Sequence, residues 1–124
     1  MNILFNLEDI DIKNIFFNEP IKNTIIYNSF FIRVYYSNKL FTTNGIYIKI
    51  YTDNLNTVIN DLENLEKNIL SLINIEDSCY NYKIKDLIKY HYNKIIKTNN
   101  NYFVIKLSGI WINNEIGINY KFIY

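Results

Sequence analysis

Hydrophobic and polar residues alternate most regularly at the end of the chain. Between 102 and 124 the sequence reads YFVIKLSGIWI, then Asn113-Asn114, then EIGINYKFIY. Successive side chains of a strand point to opposite faces, so the pattern predicts a β-hairpin with a two-residue turn at Asn113-Asn114. Ile112 then faces Glu115, and one face becomes the core of the domain. The residues predicted on that face are Phe103, Ile105, Leu107, Gly109, Trp111, Ile116, Ile118, Tyr120, Phe122 and Tyr124.

Two segments in the first half of the chain also predict strands. The segment 24–37, TIIYNSFFIRVYYS, is rich in β-branched and aromatic residues, and the segment 46–51, IYIKIY, alternates at every position. Asn44-Gly45 predicts a turn, so we expect the two strands to form a hairpin with a longer loop. Their inward residues are Phe30, Ile32, Val34, Tyr36, Ile46, Ile48 and Ile50. Their outward residues are Phe31, Arg33, Tyr35, Tyr47, Lys49 and Tyr51.

A helical period separates these strands from the final hairpin. Apolar residues recur at steps of three and four and predict an amphipathic helix over 54–73: Leu55, Val58, Ile59, Leu62, Leu65, Ile69, Leu72 and Ile73. Asp61, Glu63, Glu66 and Lys67 are assigned to its solvent side. A strand at 2–7, a shorter helix at 83–92 and a strand at 93–97 complete the prediction.

These elements predict a single α+β domain over residues 1–124. We expect a twisted, mainly antiparallel sheet of five to seven strands, with the long helix packed across it. An OB-like barrel is one form that such a sheet could take.

Composition narrows the class of protein. The 124 residues are 49% hydrophobic, include no Ala or Gln, and carry a formal net charge of +1. The excess of Asn, Ile, Lys and Tyr indicates an AT-rich genome, and the balanced charge does not support a strongly basic nucleic-acid protein, although a local patch stays open. The single Cys79, the acidic first segment and the lack of an apolar run of about 18 residues predict a soluble, cytoplasmic protein without a membrane partner.

Catalytic chemistry has little support in the sequence. His91 is the only histidine and Cys79 the only thiol, whereas a zinc site needs three or four ligands. We therefore expect no catalytic residues, no metal and no cofactor, and a non-enzymatic role. The three glycines, Gly45, Gly109 and Gly117, are dispersed and form no phosphate-binding loop motif. Inside the hairpin, Gly109 and Gly117 indicate a bend or bulge.

The outward strand faces carry the first candidate site. In Phe31-x-Arg33-x-Tyr35 and Tyr47-x-Lys49-x-Tyr51 a cation lies between two aromatic residues. Surfaces that bind single-stranded nucleic acid combine such residues, because bases stack on the rings and phosphates meet the cations. The alternative is a packing or oligomer interface, in which 10–17 or another subunit covers the rings.

The outer face of the final hairpin carries the second candidate site. The predicted register places Lys106 opposite Lys121, with Ser108 and Asn119 beside them. Like charges directly opposite each other destabilise a strand pair, so the pair favours a bound anion such as a phosphate. Alternatively, the lysine stems splay into water or block edge-to-edge aggregation.

Two segments resemble known proteins. The segments 35–50 and 103–124, about a third of the chain, resemble stretches of small proteins from AT-rich nucleocytoplasmic large DNA viruses. The most specific pieces are Asn44-Gly45-Ile46-Tyr47 and Ser108-Gly109-Ile110-Trp111. Some such proteins resemble phage-type single-stranded DNA-binding proteins with an OB-like barrel. This chain departs from that type by ending in Tyr-Lys-Phe-Ile-Tyr instead of an acidic tail, which puts replication-style partner recruitment in doubt.

Two functional hypotheses follow. The first is a non-enzymatic module that binds single-stranded nucleic acid through the aromatic and basic strand face. Its predicted binding residues are Phe31, Arg33, Tyr35, Tyr47, Lys49, Tyr51, Lys106 and Lys121. The second is a structural or interaction protein, such as a virion component or homo-oligomer, that uses the same face for protein contacts.

Overall fold

A computed structural model describes residues 3–22, 29–73, 79–97 and 100–124. It combines a large sheet with two helices, which confirms the mixed α/β class and the long helix. The elements are β1 (Leu4–Asn6), β2 (Ile15–Phe17), β3 (Ile21–Lys22), β4 (Phe30–Ser37), β5 (Thr42–Asn44), β6 (Ile46–Tyr51), α1 (Leu55–Ser71), β7 (Cys79–Tyr80), α2 (Ile84–Ile96), β8 (Tyr102–Ile112) and β9 (Glu115–Ile123). Within these ranges, neither helix is long and apolar enough to span a bilayer.

Strand β8 is the centre of the sheet. Its one edge pairs with β9, and its other edge is shared, because β6 pairs with residues 102–107 and β4 with residues 109–112. The pairs β1–β6 and β7–β9 are parallel, and the other pairs are antiparallel. The strand order β1-β6-β8-β4-β2 is an open path over the described residues, so the OB-like barrel is not confirmed.

The predicted hairpin between the two middle strands is wrong. Strand β4 pairs with the short β5 through Tyr35–Asn44 and Tyr36–Thr43, and β6 pairs with β8 instead. Gly45 lies between β5, which pairs with β4, and β6, which pairs with β8. Its φ of 74° lies in the left-handed region, which glycine adopts without strain, so it allows the chain to turn from one partner to the other. Part of the predicted strand 24–37 lies outside the described residues, which resume at 29.

The final hairpin forms, but its register shifts once. Leu107 pairs with Tyr120 as predicted, whereas beyond Ser108 the ladder moves by one residue and Trp111 pairs with Gly117. The bend or bulge indicated by the glycines is therefore confirmed. The two-residue turn is wrong, because Ile112 pairs with Ile116.

The bulge reverses which residues of β8 face inward. Ile110 is fully buried in the place predicted for Trp111, which is only partly buried. A bulge adds a residue to one strand only, so every side chain beyond it changes face relative to the predicted register. Tyr124, predicted to face the core, is half exposed.

Both helices pack against the inward side of the sheet. Helix α1 contacts α2, β6 and β9, and its stripe buries Leu62, Ile69 and Leu70. Helix α2 continues through the predicted strand at 93–97, which is wrong because Ile95 repeats the helical spacing of Ile84 and Ile88 and is buried with them. Leu72 departs from the predicted stripe and is 47% exposed at the end of α1.

One carboxylate joins the two helices to the sheet. Glu66 was predicted on the solvent side of α1, but it is only 1% exposed. Its Oε2 accepts hydrogen bonds from the backbone N–H of Lys83 (3.0 Å) and Ile84 (3.2 Å) and from the Tyr120 hydroxyl (2.7 Å). These N–H groups lie at the start of α2, where no intrahelical acceptor exists. Burial raises the pKa of Glu66, although its three hydrogen bonds act in the opposite direction.

We expect Glu66→Ala to lower the free energy of unfolding by about 2–4 kcal/mol, because two buried N–H groups and one hydroxyl lose their acceptor. Urea unfolding measures the change. Asp61→Ala is the matched control, since Asp61 is an exposed carboxylate on the same helix, and we expect it to change the free energy by less than about 0.5 kcal/mol. Equal effects of the two substitutions would contradict the role of Glu66.

Glu66 also predicts a pH dependence. Its pKa in the folded chain lies above the ordinary value of 4.5, so the folded chain keeps a proton that the unfolded chain has lost. The free energy of unfolding then falls as pH rises from 4.5 through the raised pKa. Glu66→Gln does not titrate, so the wild-type free energy minus that of this variant should decrease over that interval in urea titrations. A difference that increases with pH would have the wrong sign.

Candidate nucleic-acid interface

The side of the sheet away from the helices carries most of the predicted binding residues. We call it the outer face and define it by Phe31, Arg33, Tyr47, Lys49, Tyr51, Tyr102, Val104, Lys106, Ser108, Trp111, Asn119, Lys121 and Ile123. Each of these side chains is partly or fully exposed, whereas the inward neighbours Ile48 and Ile105 are fully buried. None of the outer-face residues is acidic, and four are cations.

Cations and aromatic rings meet across neighbouring strands of the outer face. The Lys49 amine lies 4.2 Å from the ring centroid of Tyr102 and 5.2 Å from that of Tyr51. Lys106 pairs with Tyr47 in the ladder, and its amine lies 5.2 Å from the Tyr47 ring centroid. The predicted interleaving along one strand is kept in the Lys49–Tyr51 contact, and contacts between strands are added to it, with the direct partner for Lys106 and with the diagonal neighbour Tyr102 for Lys49.

Tyr102 was missed by the sequence prediction. Its ring contacts the Tyr51 ring edge-on, with centroids 6.4 Å apart. Tyr102 pairs with Tyr51 in the ladder, and it shares the outward side with Lys106 because the two are four residues apart in one strand. The alternation that places Lys106 outward was therefore the available signal for Tyr102.

Glycines allow two large rings to lie over the outer face. A β-carbon at Gly109 would overlap the end of the Phe31 ring and the Ile32 carbonyl, and one at Gly117 would overlap the Trp111 ring. Phe31 and Trp111 are direct cross-strand partners, but their rings lie over different strands, Phe31 over β8 and Trp111 over β9. The Lys83 amine lies 4.7 Å from the Trp111 ring centroid and adds a cation beside the defined face.

A polar pocket of about 350 Å³ opens where β8 changes partner from β6 to β4. Two cations, Arg33 and Lys106, face it, and the described residues that line it include no carboxylate. Ser108 lies at its wall, where its hydroxyl donates to the Asn119 carbonyl (3.2 Å) and accepts from the Asn119 amide (2.8 Å). The predicted pairing of Lys106 with Lys121 is confirmed.

Tyr35 is separated from the other predicted residues. It lies on the part of β4 that has left β8, between Phe16 of β2 and Asn44 of β5. Its ring stacks on the Phe16 ring with centroids 5.5 Å apart. The packing of Tyr35 against part of 10–17 is therefore observed, as one of the alternatives anticipated, while the other predicted residues share the outer face.

His91 and Cys79 serve no shared site in the geometry. His91 stacks on Phe122 with centroids 4.4 Å apart, and its Nδ1 is hydrogen-bonded to the Tyr124 hydroxyl. Burial, followed by the charge of Lys94, lowers the pKa of His91. Cys79 is exposed on β7. Over the described ranges, no three His, Cys, Asp or Glu side chains are grouped as metal ligands.

Comparison with known proteins gave no match to a family model, to a curated protein or to a solved structure. The geometry of the outer face is therefore the evidence on function.

The outward position of Trp111 can be tested by a double-mutant cycle. We expect Gly117→Ala to lower the free energy of unfolding by about 1–3 kcal/mol, because the new methyl group overlaps the Trp111 ring. In a chain that also carries Trp111→Ala the same substitution should cost less than about 0.5 kcal/mol, since the overlap is gone. Denaturant unfolding of the four chains measures the coupling. The same cost in both backgrounds would contradict the contact.

Proposed function

We propose that the outer face binds single-stranded nucleic acid without catalysing a reaction. The observation that supports this function is the placement of Arg33, Lys49, Lys106 and Lys121 among exposed rings, with no acidic residue on the face. A phosphate backbone meets cations on such a face, and its bases stack on the rings. Each stacked base contributes about 1–3 kcal/mol, so a few rings supply useful affinity.

The lysine–ring contacts of the free protein fit this function. The amines of Lys49 and Lys106 lie over tyrosine rings, in contacts worth about 0.5–1 kcal/mol at an exposed site. A bound strand replaces each such contact with two others, because the base takes the ring and the phosphate takes the amine. The flexible lysine stem allows the exchange without movement of the sheet.

We also propose a relationship to known proteins. The chain would then be a small protein of an AT-rich large DNA virus, related to phage-type single-stranded DNA-binding proteins. Strand β4 changes partner from β8 to β5 along its length, and an OB-like curl of this open sheet would present the outer face to a strand. We propose the cytoplasm or the virion as the location of the protein.

Binding is tested by fluorescence anisotropy with a labelled oligothymidylate of about 20 nucleotides, a probe that carries bases without pairing. We expect micromolar affinity at about 50 mM salt that weakens as salt rises. Lys106→Ala combined with Lys121→Ala should weaken binding and reduce the slope of log K against log salt by about 0.7 for each lysine that contacts a phosphate.

The matched control is Lys85→Ala combined with Lys89→Ala. It removes the same charge from exposed positions of α2, which packs on the inward side of the sheet. We expect the control pair to leave the salt slope unchanged. Equal losses in both double variants would show that net charge, not the outer face, attracts the strand. A wild-type chain that does not bind at about 50 mM salt would refute the function.

A specific observation favours the rival, a protein–protein interface. Val104 and Ile123 are ladder partners on the outer face, and Ile123 is 37% exposed. Leu4 of β1 pairs with Tyr47 and is 46% exposed.

Sedimentation of the same samples distinguishes the two functions. A stable dimer that dissociates in a Val104→Lys variant supports a homo-oligomer, whereas a monomer that binds the oligonucleotide supports the proposed function.

A further inference from the structure

The pocket between β4, β6 and β8 differs chemically from the rest of the outer face. On the open part of the face, the Lys49 amine lies over the rings of Tyr51 and Tyr102. In the pocket, the guanidinium of Arg33 joins Lys106 around a concavity of about 350 Å³. The other polar groups that line it are neutral, and they come from Asn18, Asn44 and Ser108. The two cations suit an anion, because no described lining residue competes as an acceptor charge, while the Ser108 hydroxyl is already bonded to Asn119.

The paired backbone fixes the positions from which the side chains of both pocket cations extend. Arg33 lies on β4 between Gly109 of β8 and Asn18, whose N–H donates to the Arg33 carbonyl at 2.9 Å. Lys106 lies on β8 between Tyr47 and Lys121. Both residues are therefore in strands that pair on both edges, and the concavity between them is a fixed feature of the sheet.

The number of cations indicates how much negative charge the pocket accommodates. Two cations, Arg33 and Lys106, line it, and Lys121 lies outside the lining, opposite Lys106 on β9. A phosphodiester carries one negative charge, whereas a phosphate monoester carries about −1.5 to −2 at neutral pH. The monoester also presents three oxygens, which suits the planar fork of an arginine beside a lysine. The charge balance therefore favours a monoester over an internal diester.

The pocket also offers a surface for the base next to that phosphate. Phe31 lines the pocket, and its ring lies over Gly109. Trp111 is the ladder partner of Phe31, but its ring lies over Gly117 of β9 and does not line the pocket. A phosphate beside Arg33 and Lys106 thus has one stacking partner, Phe31, for the base that adjoins it.

We infer that the pocket of Arg33, Lys106 and Ser108 takes the terminal phosphate monoester of a nucleic-acid strand, with the adjoining base on Phe31. Recognition of a strand end rests on the proposed binding of single strands to the outer face. A free mononucleotide carries the same phosphate and base, so it is the second source of this ligand.

The experiment compares oligothymidylates of about 20 nucleotides that differ only at one end. One pair carries a 5′-phosphate or a 5′-hydroxyl, and the other carries a 3′-phosphate or a 3′-hydroxyl, each labelled at the opposite end. At moderate salt we expect one of the two phosphorylated ends to bind roughly tenfold more tightly than its hydroxyl counterpart. This preference should fall as pH decreases from about 7.5 to about 5.5, because the monoester loses its second charge near pH 6.

Variants assign the preference to the pocket. Arg33→Gln should abolish it, while Arg33→Lys should retain part of it, because the charge remains and the two-pronged geometry is lost. Lys89→Gln on α2 is the control and should leave the preference unchanged. Circular dichroism checks that the variants fold, and the exposed position of Arg33 favours folding.

The outcomes separate the pocket from the proposed function. Equal affinity for phosphate and hydroxyl ends, with binding intact, overturns end recognition and leaves the proposed function standing. A preference that survives Arg33→Gln also overturns it. If no oligonucleotide binds, the proposed function fails. A titration with thymidine monophosphate, followed by the fluorescence of Trp111, the only tryptophan, then tests whether the pocket binds a mononucleotide. A saturable change that Arg33→Gln removes supports a mononucleotide pocket, and no change overturns it.

Discussion

One extra residue in β8 determines both the sheet and its outer face. The ladder with β6 ends at Leu107, and the ladder with β4 begins at Gly109 on the same edge of β8. Ser108 lies between them, at the register shift of the final hairpin. Because a bulge re-aims every side chain beyond it, this residue sends Ile110 into the core and Trp111 outward. The pocket opens at the same junction, so the change of partner and the cationic concavity have a common cause.

The outer face remains open because a polar contact fixes both helices on the other side. Apolar stripes can slide or rotate against a sheet, since burial has no preferred direction. A buried carboxylate is directional, and leaving its donors unpaired is costly. Glu66 of α1 holds the first N–H groups of α2 and the hydroxyl of Tyr120 in β9. The three elements are thereby held in one arrangement on the inward side, and the outward residues of β6 and β8 stay accessible.

Local alternation predicted the features that depend on one strand or one helix. It gave the outward side of Tyr47, Lys49 and Lys106 correctly, since the period of a strand needs no knowledge of its neighbours. It failed for Trp111, because a bulge is set by tertiary pairing, and it left open whether Tyr35 packs against 10–17, because the strand partner of Tyr35 is set in the same way.

The prediction that Glu66 faces solvent was wrong for a different reason. Its spacing of four from Leu62 and three from Ile69 places it on the apolar stripe, so helical geometry contained the signal and only its charge argued for solvent. The pocket could not be predicted, because Arg33 and Lys106 are distant in sequence and meet only through β8.

The net charge of +1 conceals a concentration of positive charge on the outer face. Arg33, Lys49, Lys106 and Lys121 share that face with no acidic residue among its defined members, whereas α1 and α2 mix acidic and basic residues. Salt screens charges beyond about 10 Å at 0.1 M, so a polyanion near the outer face responds to the local cations and not to the total. Lys106 and Lys121 lie directly opposite each other, and like charges in that position destabilise a strand pair. The Lys106 amine lies over the ring of Tyr47, its ladder partner on the other edge of β8, and this cation–π contact offsets part of the repulsion.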